Sequence, residues 1–291
     1  MSKFEYYRPK CLNEVFKLMA ENHGYSLLAG GTDLMVKLKE NLIKPTAVID
    51  LDGLEGLKGI NLEAGRIVLG ALTTHTRLEQ SELINRFAPA LAKAAGLVGS
   101  PQIRNKGTVG GNMGNASPAA DTVPVLIALG AEVVLSSKEE IRTIPLEELF
   151  LGPGRTVLKP GELITTISFE VLNHQGCSFQ KLGKRKALAI SVINASASLE
   201  IEPETKVIKK VRIALGSVAA TAVRVSAGEE ILIGNYYSSE LIKKAAEEVS
   251  KAIRPIDDVR STAIYRKRVA EVLVGRALEE AWSQVTCTRG G

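Results

Sequence analysis

The sequence predicts an α+β chain: two small α/β pieces followed by a C-terminal domain of antiparallel sheet packed with helices. Three observations predict it. A strand, a Gly-Gly turn, a helix and a second strand follow one another between Tyr25 and Leu51. Short apolar runs of strand length then alternate with helical runs as far as Phe169. Beyond Gly176, strand-like runs give way to two amphipathic helical stripes. With 291 residues, 45% of them hydrophobic, the chain is long enough for one large domain or two ordinary ones. Aromatic residues make up only 4% against 26 glycines, so Val, Ile, Leu and Ala must fill the core.

In order, Leu12, Val15, Phe16 and Met19 recur at helical spacing until Gly24, and Tyr25 to Ala29 reads as a short buried strand running into Gly30-Gly31. Leu34 to Leu42 is amphipathic, and Ala47 to Leu51 supplies the next strand. Gly59 to Leu62 and Arg66 to Ala71 read as a hairpin, Ala88 to Ala95 as a helix, and Ser100 to Asn105 as a polar loop before a second glycine turn. Asp121 to Leu129 reads as a helix, Ala131 to Leu135 and Glu140 to Ile144 as strands, and Gly152-Pro153-Gly154 as a long surface loop. Pro160-Gly161 opens a strand from Leu163 to Phe169. Strands follow at Ile190 to Ile201 and Lys209 to Leu215. Leu241, Ile242, Ala245, Ala246, Val249 and Ile253 then form one stripe, and Val269, Val272, Leu273 and Leu278 another, ending near Trp282. Boundaries are expected near 55 and 175, giving a first domain of 1–175 with subdomains 1–55 and 56–175, then 176–291.

The formal net charge of +5 suits an anionic ligand without making the clustered basic stripe of a nucleic-acid binder. The one dense basic run, Lys184-Arg185-Lys186, reads either as a solvated loop or as a phosphate or flavin contact. Cys11, Cys177 and Cys287 are far apart and form no Cys-x-x-Cys pair, which argues against disulfide, zinc and iron–sulfur sites and favours a reducing cytoplasm. No apolar stretch approaches a membrane span or a signal core. His23, His75 and His174 lack metal or nucleophile–base spacing and receive no chemistry. Neither a Gly-x-Ser-x-Gly elbow nor a Gly-x-x-x-x-Gly-Lys loop is present, against familiar hydrolases and NTPases.

Two segments remain as candidates for chemistry. Glycine lets backbone N–H groups converge on an anion and adopt positive φ, so Ala29-Gly30-Gly31-Thr32-Asp33, between strand and helix, reads as an anion-binding turn or as a plain tight turn. Asp33 reads as a helix cap. Thr108-Val109-Gly110-Gly111-Asn112-Met113-Gly114-Asn115 sets glycines among hydroxyl and amide side chains, as a ligand-wrapping segment or a glycine-rich hairpin would.

Five segments in fixed order carry a resemblance: Ala29-Gly30-Gly31-Thr32-Asp33-Leu34, Gln102-Ile103-Arg104-Asn105, Thr108 to Asn112, Ser117-Pro118 with Asp121, and Pro160-Gly161-Glu162. Together they resemble the medium, FAD-binding subunit of the xanthine dehydrogenase and carbon monoxide dehydrogenase family, the molybdenum hydroxylases. The resemblance implies a two-part PCMH-type FAD-binding domain and a CO dehydrogenase flavoprotein-like C-terminal domain. It implies that the FAD pyrophosphate rests on Ser26, Leu27, Leu28, Ala29, Gly30, Gly31, Thr32 and Asp33 and on Thr108, Val109, Gly110, Gly111 and Asn112. It further implies Asp121 on the flavin's sugar-like chain, Val98 and Ile164 against adenine, and Lys181 near the flavin ring. From the residues alone, Asp121 reads equally as a helix cap, Val98 and Ile164 as core, and Lys181 as a surface lysine. Leu188-Ala189-Ile190-Ser191 departs from the pattern by offering no aromatic or acidic cover for the ring.

On this resemblance the chain carries no catalytic side chain and no metal, since its redox chemistry belongs to FAD. A molybdenum cofactor on a large subunit and two 2Fe–2S iron–sulfur clusters on a small subunit would be partners, in a dimer of heterotrimers. Two alternatives stand beside it: a stand-alone FAD reductase related to UDP-N-acetylenolpyruvylglucosamine reductase, and a non-enzymatic anion-binding module, which the scarce aromatics disfavour.

Overall fold

A computed structural model describes residues 3–172, 174–185 and 188–286; Lys186 and Cys287 lie outside it. Near the N-terminus, Glu5–Tyr7, Ala47–Asp50 and Tyr25–Leu28 form a sheet with Ala47–Asp50 central and both neighbours parallel to it. The helix Leu12–Glu21 buries Val15, Phe16 and Met19 as its periodicity requires, against Ile49, Leu51 and Leu54. The shorter helix Leu34–Lys39 follows the first glycine segment.

A five-stranded antiparallel sheet comes next, ordered Ile60–Glu63, Arg66–Gly70, Leu163–Glu170, Glu132–Ser136, Ile141–Pro145. The helices between Gly70 and Glu132 cover it. Thr122–Ala128 is buried at every residue, as a helix enclosed on all sides must be. Three expectations change here. The polar loop at Ser100 to Asn105 is a helix, Pro101–Lys106, whose Ser100 hydroxyl accepts from the Ile103 N–H at 3.3 Å. The second glycine segment is also helical, Val109–Asn115, capped by the Thr108 hydroxyl, which accepts from the Gly111 N–H at 3.1 Å. Gly152-Pro153-Gly154 turns tightly within a small hairpin, Phe150–Gly152 with Arg155–Thr156, and is no long loop.

The last sheet is an antiparallel meander, Gln175–Gly183, Ser191–Ile201, Ile208–Gly216 and Val223–Arg224. One face packs Ile193, Ala195, Ala197 and Leu199 on the helices Ser239–Ala252 and Ala263–Thr286. On the longer helix the buried stripe is Ala270, Leu273, Val274, Ala277, Leu278 and Ala281, while Val272 is half exposed. The other face adds Phe179, Cys177 and Ala214 to the core of the central helices, so one apolar core crosses from the middle of the chain into the C-terminal sheet. No helix among the described residues is long and apolar enough to cross a membrane.

Candidate functional site

The two glycine segments meet. A Cβ on Gly30 would lie 1.9 Å from the Lys106 carbonyl oxygen, so this glycine is what lets the first turn press against the backbone leading into the second. Gly31 has φ +73°, where a side chain is strained. Gly110 is tied to its scaffold, since its Cβ would lie 2.7 Å from the Ala71 carbonyl oxygen and its N–H already donates to that oxygen at 2.8 Å.

Between the segments runs a cleft of about 390 Å³, within the range of small-molecule sites. Its walls include Ser26, Leu27, Ala29, Gly30, Gly31, Thr32 and Asp33 on one side and Thr108, Gly110, Gly111 and Asn112 on the other, with Val98 and Ile164 flanking. Leu28 and Val109 stand behind this surface; Val109 is wholly buried and its N–H donates to the Thr73 carbonyl at 2.9 Å.

The segments differ in the donors they offer. Val109, Gly110 and Gly111 spend their N–H groups on Thr73, Ala71 and the Thr108 hydroxyl. The backbone N–H groups of Gly30, Gly31, Thr32 and Asp33 donate to no described residue, although all four residues line the cleft. The Asp33 carboxylate makes no capping bond to the helix it precedes, contrary to its expected role. Consecutive unsatisfied N–H donors at a turn form an anion cradle, and leaving them unpaired is costly unless a ligand or water accepts. These residues therefore fit a pyrophosphate, with the first turn donating and the second providing a close wall. At Gly111 a Cβ would meet the capping Thr108 hydroxyl at 2.8 Å, and at Gly114 it would meet nothing within 4 Å, so the wall is open there.

Asp121 and Lys181 lie apart from this cleft and together. The Lys181 ammonium donates to Asp121 Oδ2 at 2.5 Å and to the Leu97 carbonyl at 2.9 Å. The Ser191 hydroxyl and the Asn194 amide donate to Asp121 Oδ1 at 2.6 and 3.1 Å. Burial pushes the Asp121 carboxyl up, and Lys181, Ser191 and Asn194 pull it back. Asp121 precedes the helix Thr122–Ala128 without capping it. It spans instead to two strands of the C-terminal sheet, and Lys181 also lines a second, more open hollow with Arg104, Lys184 and Arg185. In the basic run, the Lys184 ammonium donates to the Val259 carbonyl at 2.9 Å and Arg185 Nη2 to the Leu188 carbonyl at 2.6 Å.

Several cleft residues escaped the sequence reading. Lys37, one turn into the helix after Asp33, donates to Asn115 Oδ1 at 2.9 Å and adds a cation to the cleft wall. Its signal was available, because Leu34 to Leu42 read as a helix and fixed which turn Lys37 occupies. Glu162 also lines the cleft: Arg142 Nε and Nη2 donate to its two oxygens at 2.7 and 2.8 Å, and the Lys159 N–H adds a third bond at 2.7 Å. The Arg142 guanidinium holds its carboxyl down at about 2. His75, whose spacing in the sequence suggests no chemistry, lines the cleft as well.

Comparison with known proteins gives the family. Residues 2–169 match the family model described as the FAD binding domain in molybdopterin dehydrogenase, and residues 178–281 match the CO dehydrogenase flavoprotein C-terminal domain. The carbon monoxide dehydrogenase medium chain of Hydrogenophaga pseudoflava is 31% identical, covering 97% of this chain and 98% of its own. The glyceraldehyde dehydrogenase medium chain of Sulfolobus acidocaldarius is 32% identical over 96% of this chain and 98% of its own. A solved structure of the Hydrogenophaga pseudoflava carbon monoxide dehydrogenase superposes with a TM-score of 0.92 at 32% identity, covering 97% of this chain and 98% of the other.

Proposed function

Since the chain belongs to the FAD-binding medium-chain family of the molybdopterin dehydrogenases, we propose that it binds FAD in the cleft between its glycine segments and works as the electron-output subunit of a molybdenum hydroxylase. The observation that carries the reading is the row of unpaired N–H groups from Gly30 to Asp33 facing the helical wall of Thr108 to Asn112. When bound, FAD supplies reversible two-electron redox chemistry. The protein's own residues bind, orient and exclude water.

Ser26 to Asp33 and Thr108 to Asn112 hold the pyrophosphate, and Val98 and Ile164 give the adenine an apolar bed. Asp121 and Lys181 sit toward the flavin half, where Asp121 accepts from the sugar-like chain by exchanging one of its present donors and Lys181 brings positive charge near the ring. Electrons arrive from 2Fe–2S clusters on a small subunit, after substrate oxidation at a molybdenum cofactor on a large one, in a cytoplasmic dimer of heterotrimers. With three widely spaced cysteines, this chain does not supply the thiolates for either iron–sulfur cluster.

The absorption spectrum of the purified chain tests the cofactor: flavin bands, with FAD released on denaturation, are expected, and a colourless protein that cannot be reconstituted overturns the reading. Gly111→Val should abolish flavin binding while the fluorescence of Trp282, the single tryptophan, reports an intact C-terminal domain. Unchanged flavin content would move the pyrophosphate elsewhere. Co-purification with a molybdenum subunit and an iron–sulfur subunit supports the assembly; NADPH oxidation by the isolated chain on a sugar nucleotide would favour a stand-alone reductase.

A further inference from the structure

His75 is a polar side chain with no assigned use in the cleft wall. It is 2% exposed and begins the helix His75–Gln80, and its backbone N–H donates to the Gly107 carbonyl at 3.0 Å. Gly30 packs against the Lys106–Gly107 peptide: a Cβ on Gly30 would fall 1.9 Å from the Lys106 carbonyl oxygen and 2.9 Å from Gly107 Cα. A Cβ on Gly107 would in turn fall 3.2 Å from His75 Cδ2 and 3.6 Å from Nε2. The imidazole edge carrying Nε2 therefore backs the junction of the two glycine segments, and both Gly107 and His75 line the cleft.

Nδ1 is sealed from solvent and has no hydrogen-bond partner. One proton must then be placed on a neutral ring. On Nδ1 it would be a buried orphan donor, the costlier kind of unsatisfied group, whereas on Nε2 it leaves only a buried lone pair. Burial, with the Arg104 guanidinium nearby, lowers the imidazole to about 4, so the ring is neutral at physiological pH. Arg104 is itself paired with Glu79, Nε to Oε2 at 3.0 Å.

We propose that His75 is a further cofactor-binding residue, whose neutral imidazole donates one hydrogen bond from Nε2 to a pyrophosphate oxygen of the dinucleotide held on Gly30–Asp33. The proposal rests on the FAD reading above. It gives a use to a buried histidine beside the junction of the two glycine segments. A donor on the far side of the junction supplies what the backbone of Val109, Gly110 and Gly111 does not, since their N–H groups are already spent.

The test measures FAD and ADP affinity of the full chain by fluorescence and calorimetry at neutral pH, for wild type, His75→Phe and His75→Gln. Loss of a charge-assisted hydrogen bond should weaken both ligands by about tenfold or more in His75→Phe, with His75→Gln recovering most of it through its own N–H. Nitrogen NMR of histidine-labelled wild-type chain, with only three imidazoles to resolve, depends on no variant folding. It should show the Nε2-protonated tautomer, with Nε2 shifting on addition of ADP. A wild-type chain that takes up neither FAD nor ADP overturns the cofactor reading itself. A wild-type chain that binds both, with His75→Phe within about twofold of it or an Nδ1-protonated ring, overturns this proposal alone.

Discussion

Glu162 shows at the scale of one residue why the wall of the cleft is stiff. Its carboxylate is buried, gripped at both oxygens by Arg142, and bonded by the Lys159 N–H across the turn that Gly161 makes at φ +84°. Its folded-state value of about 2 lies below the ordinary 4.5. The stabilisation is therefore complete above pH 4.5 and is lost as pH falls through about 2. Glu162→Gln is expected to lower stability by about 2 kcal/mol at pH 7, and the gap from wild type should close on acidification toward pH 2, as followed by urea melts. Cys177 makes an opposite case, because burial pushes its thiol up to about 12. Alkylation at pH 8 should label the exposed Cys11 and leave Cys177 untouched until the chain unfolds, as peptide mass mapping would show. The glycines were legible in the sequence as a pattern, but their separate reasons were not. Gly30 and Gly110 are required by backbone approaching backbone and Gly31 by its φ, and the two backbone contacts are with residues far along the chain, Lys106 for Gly30 and Ala71 for Gly110.

Elements long enough for their periodicity to show were legible. Leu12–Glu21, Ser239–Ala252 and Ala263–Thr286 each run two turns or more and bury a stripe, and the strand Ser191–Ile201 is a plain apolar–small run. The six-residue helices His75–Gln80, Glu82–Phe87 and Pro101–Lys106 were not, because less than two turns leaves no stripe to count. Their caps were the usable signal: Thr74, Ser81 and Ser100 each accept from the N–H three residues on. Between elements, the strand Gln175–Gly183 meets the helix Ala263–Thr286 closely, since a Cβ on Gly176 would lie 1.9 Å from the Ala281 carbonyl oxygen. Gly176→Ala must push that helix away along much of its length. A loss of about 3 kcal/mol is expected in urea unfolding, at the upper end of overpacking costs; a variant as stable as wild type would show that the helix slides freely on the sheet.

At the scale of the whole molecule, the sequence suggested a change of texture at Gly176 but not how the parts are joined, since the joining groups are far apart along the chain. The joint has an apolar part, where Phe179, Cys177 and Ala214 enter the core of the central helices, and a polar part. In the polar part Asn194 donates to the Ala120 carbonyl at 3.2 Å and Ser217 N–H to the Pro118 carbonyl at 2.8 Å, around the buried Lys181–Asp121 pair. The segment from Ser117 to Asp121 is thereby tied to the C-terminal sheet. Replacing Lys181 by Met keeps the aliphatic stem but leaves a carboxylate sealed with two neutral donors, an arrangement that costs about 3–5 kcal/mol. Asp121 is already pushed up by burial, and losing Lys181 removes the cation that pulls it back, so it rises further. A group raised in this way stabilises below its unfolded value and loses that contribution as pH rises through its folded value. The Lys181→Met deficit should therefore be largest at neutral pH and shrink on acidification, and adding Asp121→Asn should restore most of the stability, since the double variant buries no unpaired charge. Because Trp282 reports the C-terminal part, its fluorescence and far-ultraviolet circular dichroism should unfold together in wild type and separate in Lys181→Met if the pair couples the two parts. Coincident transitions in the variant, with an undiminished deficit at low pH, would assign the coupling to the shared apolar core instead.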